Sequence, residues 1–305
     1  MAQVSFIAID WGTSSFRLWA LAADGSVVAA TDGPFGMSRL KRGDFGNVLE
    51  ENLAKLNIDP NVPVIICGMA GAKQGWCEAP YLQVPTRLDA MGMQAVKVQG
   101  IDRDIHILPG AKQILPANVM RGEETQIAGF LHHCPDFEGT VCLPGTHSKW
   151  VRVSDKSIQD FETCMTGEQF AFFSQQSVLS HSMLVDGWCD ESFDRAILSA
   201  TTEPHTVPCK LFAIRAEMLI GEQSSAKARS RLSGLLIGQE LVATKPYWRA
   251  NEVVLIGATP LCKLYIQALE ILGVKAKALD STTMTLLGLC AAHKFHNGVG
   301  ISNHA

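Results

Sequence analysis

The segment Ile9-Asp10-Trp11-Gly12-Thr13-Ser14-Ser15-Phe16-Arg17 joins two apolar runs near the N-terminus, VSFIAI and FRLWALA. A related segment at 143–151, LPGTHSKWV, joins TVCL to KWVRV about halfway along the chain. In both places a Gly-Thr-x-Ser sequence separates two runs with strand character, which predicts a tight β-hairpin. The chain is therefore predicted to form the same kind of turn twice.

Each turn is suited to phosphate oxygens. Glycine lets a backbone approach a ligand closely, and successive N–H groups with short hydroxyl side chains form a concave cluster of donors. The candidate phosphate-binding residues are Gly12, Thr13, Ser14, Gly145, Thr146 and His147, although His147 could instead only satisfy its own turn. Asp10 lies two residues before the first glycine, whereas Leu143 holds that place in the second copy. Only the first turn therefore offers a metal ligand, Asp10.

Composition favours a two-domain enzyme that binds a small molecule. The chain has 305 residues and a formal charge of −4, with no basic stripe for nucleic acid and no polybasic patch for a membrane surface. The first apolar run is broken by Asp10, so the N-terminus does not resemble a signal peptide and a cytoplasmic location is expected. The nine cysteines lack any C-x-x-C spacing, which is typical of reduced, packed thiols. The oligomeric state stays open, with a homodimer as one option.

Strand-like and helix-like segments alternate, which predicts an α/β chain with mixed sheets opened by hairpins. The predicted strands are VSFIAID, FRLWALA, SVVAATD, PVIICG, IHILPG, TVCLPG, KWVRVS, DFETCM and VVLIGA. The predicted helices begin near Phe45, Glu123, Gly167, Ala226, Pro260 and Ser281. A domain boundary is expected between residues 125 and 140, where a helical segment leads into the second hairpin.

Two hairpin-led halves and a late glycine turn, VVLIGATPLCKLYIQALEILG, resemble the sugar kinase, Hsp70 and actin superfamily. The resemblance implies a two-domain, ribonuclease H-like fold with nucleotide bound in the interdomain cleft. It implies that Asp10 holds Mg²⁺ through water and that Gly257 and Ala258 lie against the adenosine of ATP. Residues 1–130 would carry the first phosphate hairpin and the sugar-binding loops, and residues 131–305 the second hairpin and the adenosine turn.

Six further segments are similar to those of the 2-dehydro-3-deoxygalactonokinase family. They are GMSRL, CGMAGAKQGWCEAPY, VMRGEETQ, LPGTHSKW, MTGEQFAFFSQQSVL and LSGLLIGQEL. This resemblance implies ATP-dependent phosphorylation of the terminal (6-) hydroxyl of 2-dehydro-3-deoxy-D-galactonate in galactonate catabolism, giving the 6-phosphate and ADP. The alternatives are a kinase for another sugar or sugar acid, and a nucleotide-gated ATPase scaffold.

Kinase chemistry also needs a group that orients the attacking hydroxyl. Related sugar kinases hold a catalytic carboxylate in a Gly-Asp segment just before the second hairpin, and the matching residue in VMRGEETQ is Glu123. Glu123 departs from that pattern by one methylene. Glu124 is interpreted as a helix-start charge, which the helix dipole favours. The predicted catalytic residues are therefore Glu123 and Asp10.

A sugar acid brings a carboxylate that needs a cation when it leaves water. The candidate cations are Arg39 in GMSRL, Lys73 in GMAGAKQGW, Arg87 in VPTRLDAMG and Lys149 in THSKW. The loop GMAGAKQGW follows an apolar strand, so it is expected at a strand's carboxyl end, where open α/β sheets bind ligands. Met69, Gln74 and Trp76 of that loop complete the predicted substrate site, with core packing as the other explanation for Trp76.

Overall fold

The chain forms two compact units. The computed structural model describes residues 3–89, 91–221 and 224–296. The first unit holds the chain up to Phe137, the segment Val153–Asp160 and the chain from Ser281 onward; the second holds Glu138–Arg152 and Phe161–Asp280. Within the described ranges, every helix is too short or too polar to cross a membrane.

The first unit is built on a six-stranded sheet in the order β3-β2-β1-β4-β8-β7. Its strands are β1 (Phe6–Trp11), β2 (Phe16–Leu21), β3 (Val27–Gly33), β4 (Val64–Gly68), β7 (Val96–Lys97) and β8 (Ile105–Ile107). A small sheet is formed by β5 (Tyr81–Gln83), β9 (Gly110–Gln113) and β10 (Asn118–Met120), and β6 (Thr86–Arg87) pairs with Ser157 and Ile158. The helices are α1 (Asp44–Lys55), α2 (Glu123–His133) and α9 (Ser281–His296).

The second unit is built on a sheet in the order β15-β14-β11-β12-β13, in which the ends of β12 and β13 belong to the segment Val153–Asp160 of the first unit. Its strands are β11 (Gly139–Leu143), β12 (Ser148–Ser154), β13 (Ser157–Cys164), β14 (Val253–Gly257) and β15 (Ala276–Asp280). Its helices are α3 (Thr166–Gln175), α4 (Asp190–Thr202), α5 (Val207–Leu219), α6 (Ser225–Ala243), α7 (Lys245–Trp248) and α8 (Thr259–Ile271).

The two sheets repeat one strand order. In the first, β3, β2 and β1 form an antiparallel meander, and β4 and β8 follow in parallel with β1. In the second, β13, β12 and β11 are successive neighbours, and β14 and β15 follow in parallel with β11. The first Gly-Thr turn joins β1 to β2, and the second joins β11 to β12, which hold the corresponding places in the two sheets. The repeated turn in the sequence therefore reflects a repeated sheet.

Apolar strands at the centre of each sheet explain this architecture. Every residue of β4 is buried, and so is β1 except for Asp10. Strands covered on both faces are apolar along their whole length rather than alternating. In the second unit the apolar residues of β14 lie in the core, together with Trp150, Phe193 and Tyr265. Each unit thus has a core of its own.

The nine predicted strands are confirmed, and so are the six predicted helices. Helices α4, α5 and α7, strand β15 and the short strands were not predicted from the sequence. The division by contacts falls after Phe137 and assigns α9 to the first unit, whereas the sequence-based boundary lies at residue 130 and gives 131–305 to the second domain. The reason is non-local: α9 packs on α2, where a Cβ on Gly288 would lie 2.0 Å from the Thr125 carbonyl oxygen.

Candidate active site

The first Gly-Thr turn is closed by its own backbone and supported by GMSRL. The Gly12 N–H donates to the Ser15 carbonyl at 2.9 Å, while the Met37 N–H donates to the Gly12 carbonyl at 3.0 Å. A Cβ on Gly36 would lie 2.3 Å from the carbonyl carbon of Ser14, so a larger residue could not sit there unless the turn moved. The side chains of Thr13 and Ser14 stay exposed. The turn is thus held from behind while its tip faces solvent.

The second turn is likewise supported by a later segment of the chain, here the start of α3. The Glu168 N–H at the start of α3 donates to the Thr146 carbonyl at 3.0 Å. A Cβ on Gly167 would lie 2.3 Å from the Gly145 carbonyl oxygen, so this glycine allows α3 to begin directly against the turn. His147 pairs with Glu168 at 2.5 Å, and both side chains are about half exposed. The role of His147 at a phosphate stays a prediction.

Asp10 lies at the end of β1 in an ion pair. Its Oδ2 accepts from Arg17, which faces it across the β1–β2 hairpin, and Arg17 also donates to the Thr282 hydroxyl at 3.0 Å. The Asp10 side chain is 17% exposed. The carboxylate is therefore oriented by a fixed partner and remains accessible, which suits a ligand-holding group.

Gly68, at the end of β4, brings two predicted catalytic segments together. A Cβ there would lie 3.3 Å from the Asp10 Oδ1, and its φ of +89° disfavours any side chain. A Cβ on Gly122, the residue before α2, would in turn lie 3.6 Å from the Gly68 Cα. Burial raises the pKa of the neighbouring Cys67 thiol, and the negative charges of Asp10 and Glu124 raise it further. The start of α2 and the end of β1 are therefore neighbours.

The two glutamates at the start of α2 have different surroundings. Glu124 is fully buried, and the Gly122 N–H donates to both of its oxygens at 2.8 Å. Burial raises the pKa of Glu124 to about 7, with the charge of Glu123 as the next cause. Glu123 is partly exposed, and its Oε2 accepts the Arg121 N–H at 3.1 Å. Glu123 is the one of the two that a ligand can reach without rearrangement.

Sequence analysis did not single out Arg121, although the residue lies within VMRGEETQ. Its guanidinium is stacked over the Tyr81 ring at 4.2 Å and donates to the Ala79 carbonyl at 2.8 Å. Gly71 lies so close that a Cβ there would be 2.7 Å from an Arg121 nitrogen. Arg121 therefore ties the loop after β4 to the start of α2. An arginine directly before the GEE sequence is the one signal that could have indicated this role.

The four candidate cations for a substrate carboxylate are in different situations. Arg39 and Lys73 are exposed, and neither side chain has an ion-pair partner in the described part of the chain. Arg87 is paired with Asp89, which raises the pKa of this guanidinium. Lys149 is buried in the second unit, with its Nζ 3.4 Å from the His147 carbonyl. Arg39 and Lys73 are thus the two that are ready to take a carboxylate.

The loop after β4 carries the remaining predicted substrate residues. Gln74 is exposed and Met69 is partly exposed. Trp76 is stacked on Phe45 at 5.9 Å between ring centroids and meets Trp11 edge-on at 5.9 Å. Trp76 therefore packs against the core of the first unit, and a contact of its indole with sugar stays a prediction. Arg42, a residue that sequence analysis missed, donates to the carbonyls of Lys73 and Gly75 and so holds this loop.

A cavity of about 440 Å³ opens beside the second turn, within the second unit. Its lining comes from that turn and from α3, α6 and α8, with Trp188 contributed by the segment before α4. Gly257 and Ala258 lie at the junction of β14 and α8, where a Cβ on Gly257 would be 3.3 Å from the Pro144 carbonyl. The predicted adenosine turn therefore adjoins the second phosphate turn.

The residues present fit a magnesium ion that is held mainly by substrate. Among the residues that the structure describes, no three Asp, Glu, His or Cys side chains converge on one point. Mg²⁺ keeps several waters and is commonly bound by one or two carboxylates together with phosphates. Asp10, accessible and adjacent to an exposed donor-rich turn, is a carboxylate of that kind.

Comparison with solved structures identifies the structural class of the fold. A solved activator of 2-hydroxyisocaproyl-CoA dehydratase from Clostridium difficile, with bound ADPNP, matches over 98% of both chains with a TM-score of 0.53 and 14% identity. At that identity the likeness concerns the fold alone, which is that of the actin-like ATPases and sugar kinases.

The family follows from nearer relatives. The family model described as 2-keto-3-deoxy-galactonokinase matches residues 10–292, so the chain belongs to this family. A "Probable 2-dehydro-3-deoxygalactonokinase" of Rhizobium meliloti (strain 1021) is 40% identical, covering 94% of this chain and 96% of the relative. The 2-dehydro-3-deoxygalactonokinase of Escherichia coli (strain K12) is 31% identical, covering 93% and 96%. A Sinorhizobium meliloti crystal structure provisionally assigned to the same enzyme has a TM-score of 0.90 at 39% identity, covering 95% and 98%.

Proposed function

We propose that this enzyme transfers the γ-phosphoryl group of ATP to the terminal (6-) hydroxyl of 2-dehydro-3-deoxy-D-galactonate, with Mg²⁺. The chain is a kinase of the 2-keto-3-deoxy-galactonokinase family, and its named relatives act on this sugar acid. The observation that carries the proposal is that Gly68 lies close both to Asp10 and to Gly122, the residue directly before Glu123. A phosphate-orienting carboxylate and a hydroxyl-orienting carboxylate must lie close together, because both act on one transferred group.

Each part of the site has a task in this proposal. A bound Mg²⁺ would neutralise charge on the phosphates, and Asp10 would hold its waters. The exposed N–H and hydroxyl groups of Thr13, Ser14 and Thr146 would donate to phosphate oxygens. Glu123 would accept a hydrogen bond from the attacking hydroxyl and receive its proton late in the reaction. Arg39 or Lys73 would pair with the carboxylate of the sugar acid.

Gly145→Ala tests whether phosphate approaches the second turn. A Cβ at Gly145 meets no atom within 4 Å, so the variant should fold as the native chain does. It would fill space that a phosphate oxygen needs, and an overpacked contact of about 1–3 kcal/mol raises the KM for ATP about tenfold to a hundredfold. Steady-state kinetics with varied ATP measures this. Gly43→Ala is the control, because a Cβ there also meets open space and the residue lies in the segment before α1, outside the second turn; an equal KM for ATP in the two variants would exclude Gly145 from the site.

Recognition of the carboxylate should dominate the choice of sugar. A site that holds a cation for the acid leaves that cation unpaired with a neutral sugar, so kcat/KM should fall about a hundredfold or more. The test is a panel of keto-deoxy acids, aldonic acids and neutral hexoses, with mass detection of the phosphorylated product. Glucose or galactose reacting as well as the keto-deoxy acid would contradict the proposal.

Two variants sharpen this test. Arg39→Met and Lys73→Met each remove one exposed cation, and the responsible one should raise the KM for the sugar acid more than the KM for ATP. ADP release measured without sugar is the companion control, because turnover that ignores sugar would indicate an ATPase scaffold instead of a kinase.

A further inference from the structure

We infer that the cavity beside the second Gly-Thr turn accepts the base of any purine nucleoside triphosphate, with little preference for adenine over guanine or hypoxanthine. The inference rests on the proposed function for the use of a nucleotide, and it goes beyond it by naming the class of phosphoryl donors. It follows from where the polar side chains of the cavity direct their hydrogen bonds.

Two of the polar side chains that line the cavity are hydrogen-bonded to a buried carboxylate beneath it, that of Glu240. The Tyr265 hydroxyl donates to the Glu240 Oε2 at 2.9 Å, and the Trp150 Nε1–H donates to the Oε1 at 2.7 Å. The hydroxyls of Thr166 and Ser148 are hydrogen-bonded to the same carboxylate, and Glu240 is 4% exposed. Tyr265 and Thr166 both line the cavity, yet their polar groups are engaged below its surface.

Two further polar groups at the cavity cannot tell one purine from another. The Trp188 Nε1–H donates to the Asp190 Oδ1 at 2.9 Å, so its indole offers a stacking face alone. Ser233 is 7% exposed, and a hydroxyl can rotate to donate or to accept. The rest of the wall includes Phe170, Leu236, Ile237, Leu261 and Leu264. This wall recognises the flat apolar faces of a base and not its edge.

Arg229 is the one charged side chain among the described residues that line the cavity. Its guanidinium lies 3.5 Å from the exposed Asp186, and its Nε is buried without a hydrogen-bond partner. Arginine can only donate, so it cannot accept from the adenine amino group. Guanine presents O6 and N7 as paired acceptors, which is the pattern that arginine binds in a bidentate manner, whereas adenine presents N7 alone. Arg229 therefore gives 6-oxopurines a partner that compensates for any loss elsewhere.

The size of the expected preference follows from the character of the wall. Apolar pockets discriminate between ligands of similar shape by only about 10- to 200-fold, whereas sites built from hydrogen bonds reach about 10⁴-fold or more. With an arginine favouring 6-oxopurines, the affinities for ADP, GDP and IDP should lie within about tenfold of one another. Among the described lining residues, the side-chain acceptors without an assigned partner are the Thr146 and Ser233 hydroxyls, which can equally donate, so they do not require adenine.

Calorimetric titration of the full chain with ADP, GDP and IDP in Mg²⁺, without any sugar, tests the inference directly. Dissociation constants within about tenfold of one another are the expected result. A preference for ADP beyond tenfold over both others would overturn the inference and leave the proposed kinase activity standing. Absence of binding by all three would overturn the nucleotide site itself, and with it the proposed function.

A pair of variants tests whether Arg229 binds the edge of the purine base. Arg229→Met should lower the affinity for GDP and IDP relative to ADP, so the ratio of the GDP and ADP dissociation constants should rise at least threefold. Lys227→Met is the matched control, because Lys227 is an exposed cation on the same helix and does not line the cavity. An unchanged ratio in Arg229→Met would show that Arg229 does not read the base and would overturn its role.

Discussion

Asp10→Asn is expected to reduce kcat about a thousandfold or more while the fold stays intact. The substitution keeps the size of the side chain and removes the charge that would order Mg²⁺ on the phosphates. Charge stabilisation by a metal contributes several kcal/mol to a transition state, and each 1.4 kcal/mol is about a tenfold change in rate. A coupled assay for ADP, run as a Mg²⁺ titration, measures both the rate and the metal dependence. Near-normal turnover with an unchanged Mg²⁺ requirement would exclude Asp10 as the metal-ordering residue.

Arg17→Met controls for the lost ion pair. Asp10→Asn also deprives Arg17 of its partner, and the pair is partly exposed, so its own contribution to stability is about 1 kcal/mol or less. Arg17→Met breaks the same pair and leaves the Asp10 carboxylate in place. It should therefore lose far less activity than Asp10→Asn. Equal losses in both variants would mean that orientation by Arg17, and not the charge of Asp10, limits the rate.

The sequence was informative wherever local chemistry and strand pattern coincide. The two Gly-Thr-x-Ser turns could be predicted because each interrupts apolar runs that later prove to be buried strands. Gly36 and Gly167 lie in segments that resemble the family, but the sequence does not show why they are glycines. The structure shows the reason, because each backbone lies directly against one of the two turns. The repeated strand order could not be predicted, because it depends on pairing between strands that are far apart in the sequence. β1 pairs with β4 more than 50 residues later, and β11 pairs with β14 in the same way.

Residues that act over long sequence distances could not be predicted. Arg121 contacts Ala79 and Tyr81, and no periodicity links an arginine to a loop some 40 residues earlier. The pairing of Arg87 with Asp89 is local, only two residues along the chain, but the sequence alone does not show which of the exposed candidate cations already has an acidic partner. Helices α4 and α5 were missed although their first turns carry helix-start signals, Asp190 and Glu191 in α4 and Pro208 in α5.

Glu123→Gln is expected to lower kcat by about 10²- to 10⁴-fold, with little change in the binding of ATP. Glutamine keeps the size and the hydrogen-bonding capacity of the side chain but cannot take a proton. Phosphoryl transfer is largely dissociative, so the carboxylate contributes by aiming the hydroxyl and accepting its proton late, and general-base catalysis of this kind has the stated magnitude. Single-turnover kinetics at saturating sugar and ATP separate this step from binding and product release.

Glu124→Gln is the matched control, one residue away on the same helix. Burial raises the pKa of Glu124 to about 7 from an ordinary 4.5, so the folded protein favours the neutral acid, which glutamine imitates. Below pH 4.5 this group is protonated in both the folded and unfolded chain, and its contribution to stability is lost as pH rises through about 7. Glu124→Gln should therefore flatten the fall in unfolding free energy between those two values and keep most of the activity.

The two variants together decide the assignment. If Glu124→Gln is inactive and Glu123→Gln nearly normal, the family's catalytic acid corresponds to Glu124, and its exposure must change before a hydroxyl can reach it. If both keep most of their activity, neither glutamate is the base, and the rate rests on the metal and on positioning. The expected pattern, a large loss at Glu123 alone, follows from the exposure of the two side chains: Glu123 is partly open to solvent, whereas Glu124 is fully buried and both of its oxygens accept the Gly122 N–H.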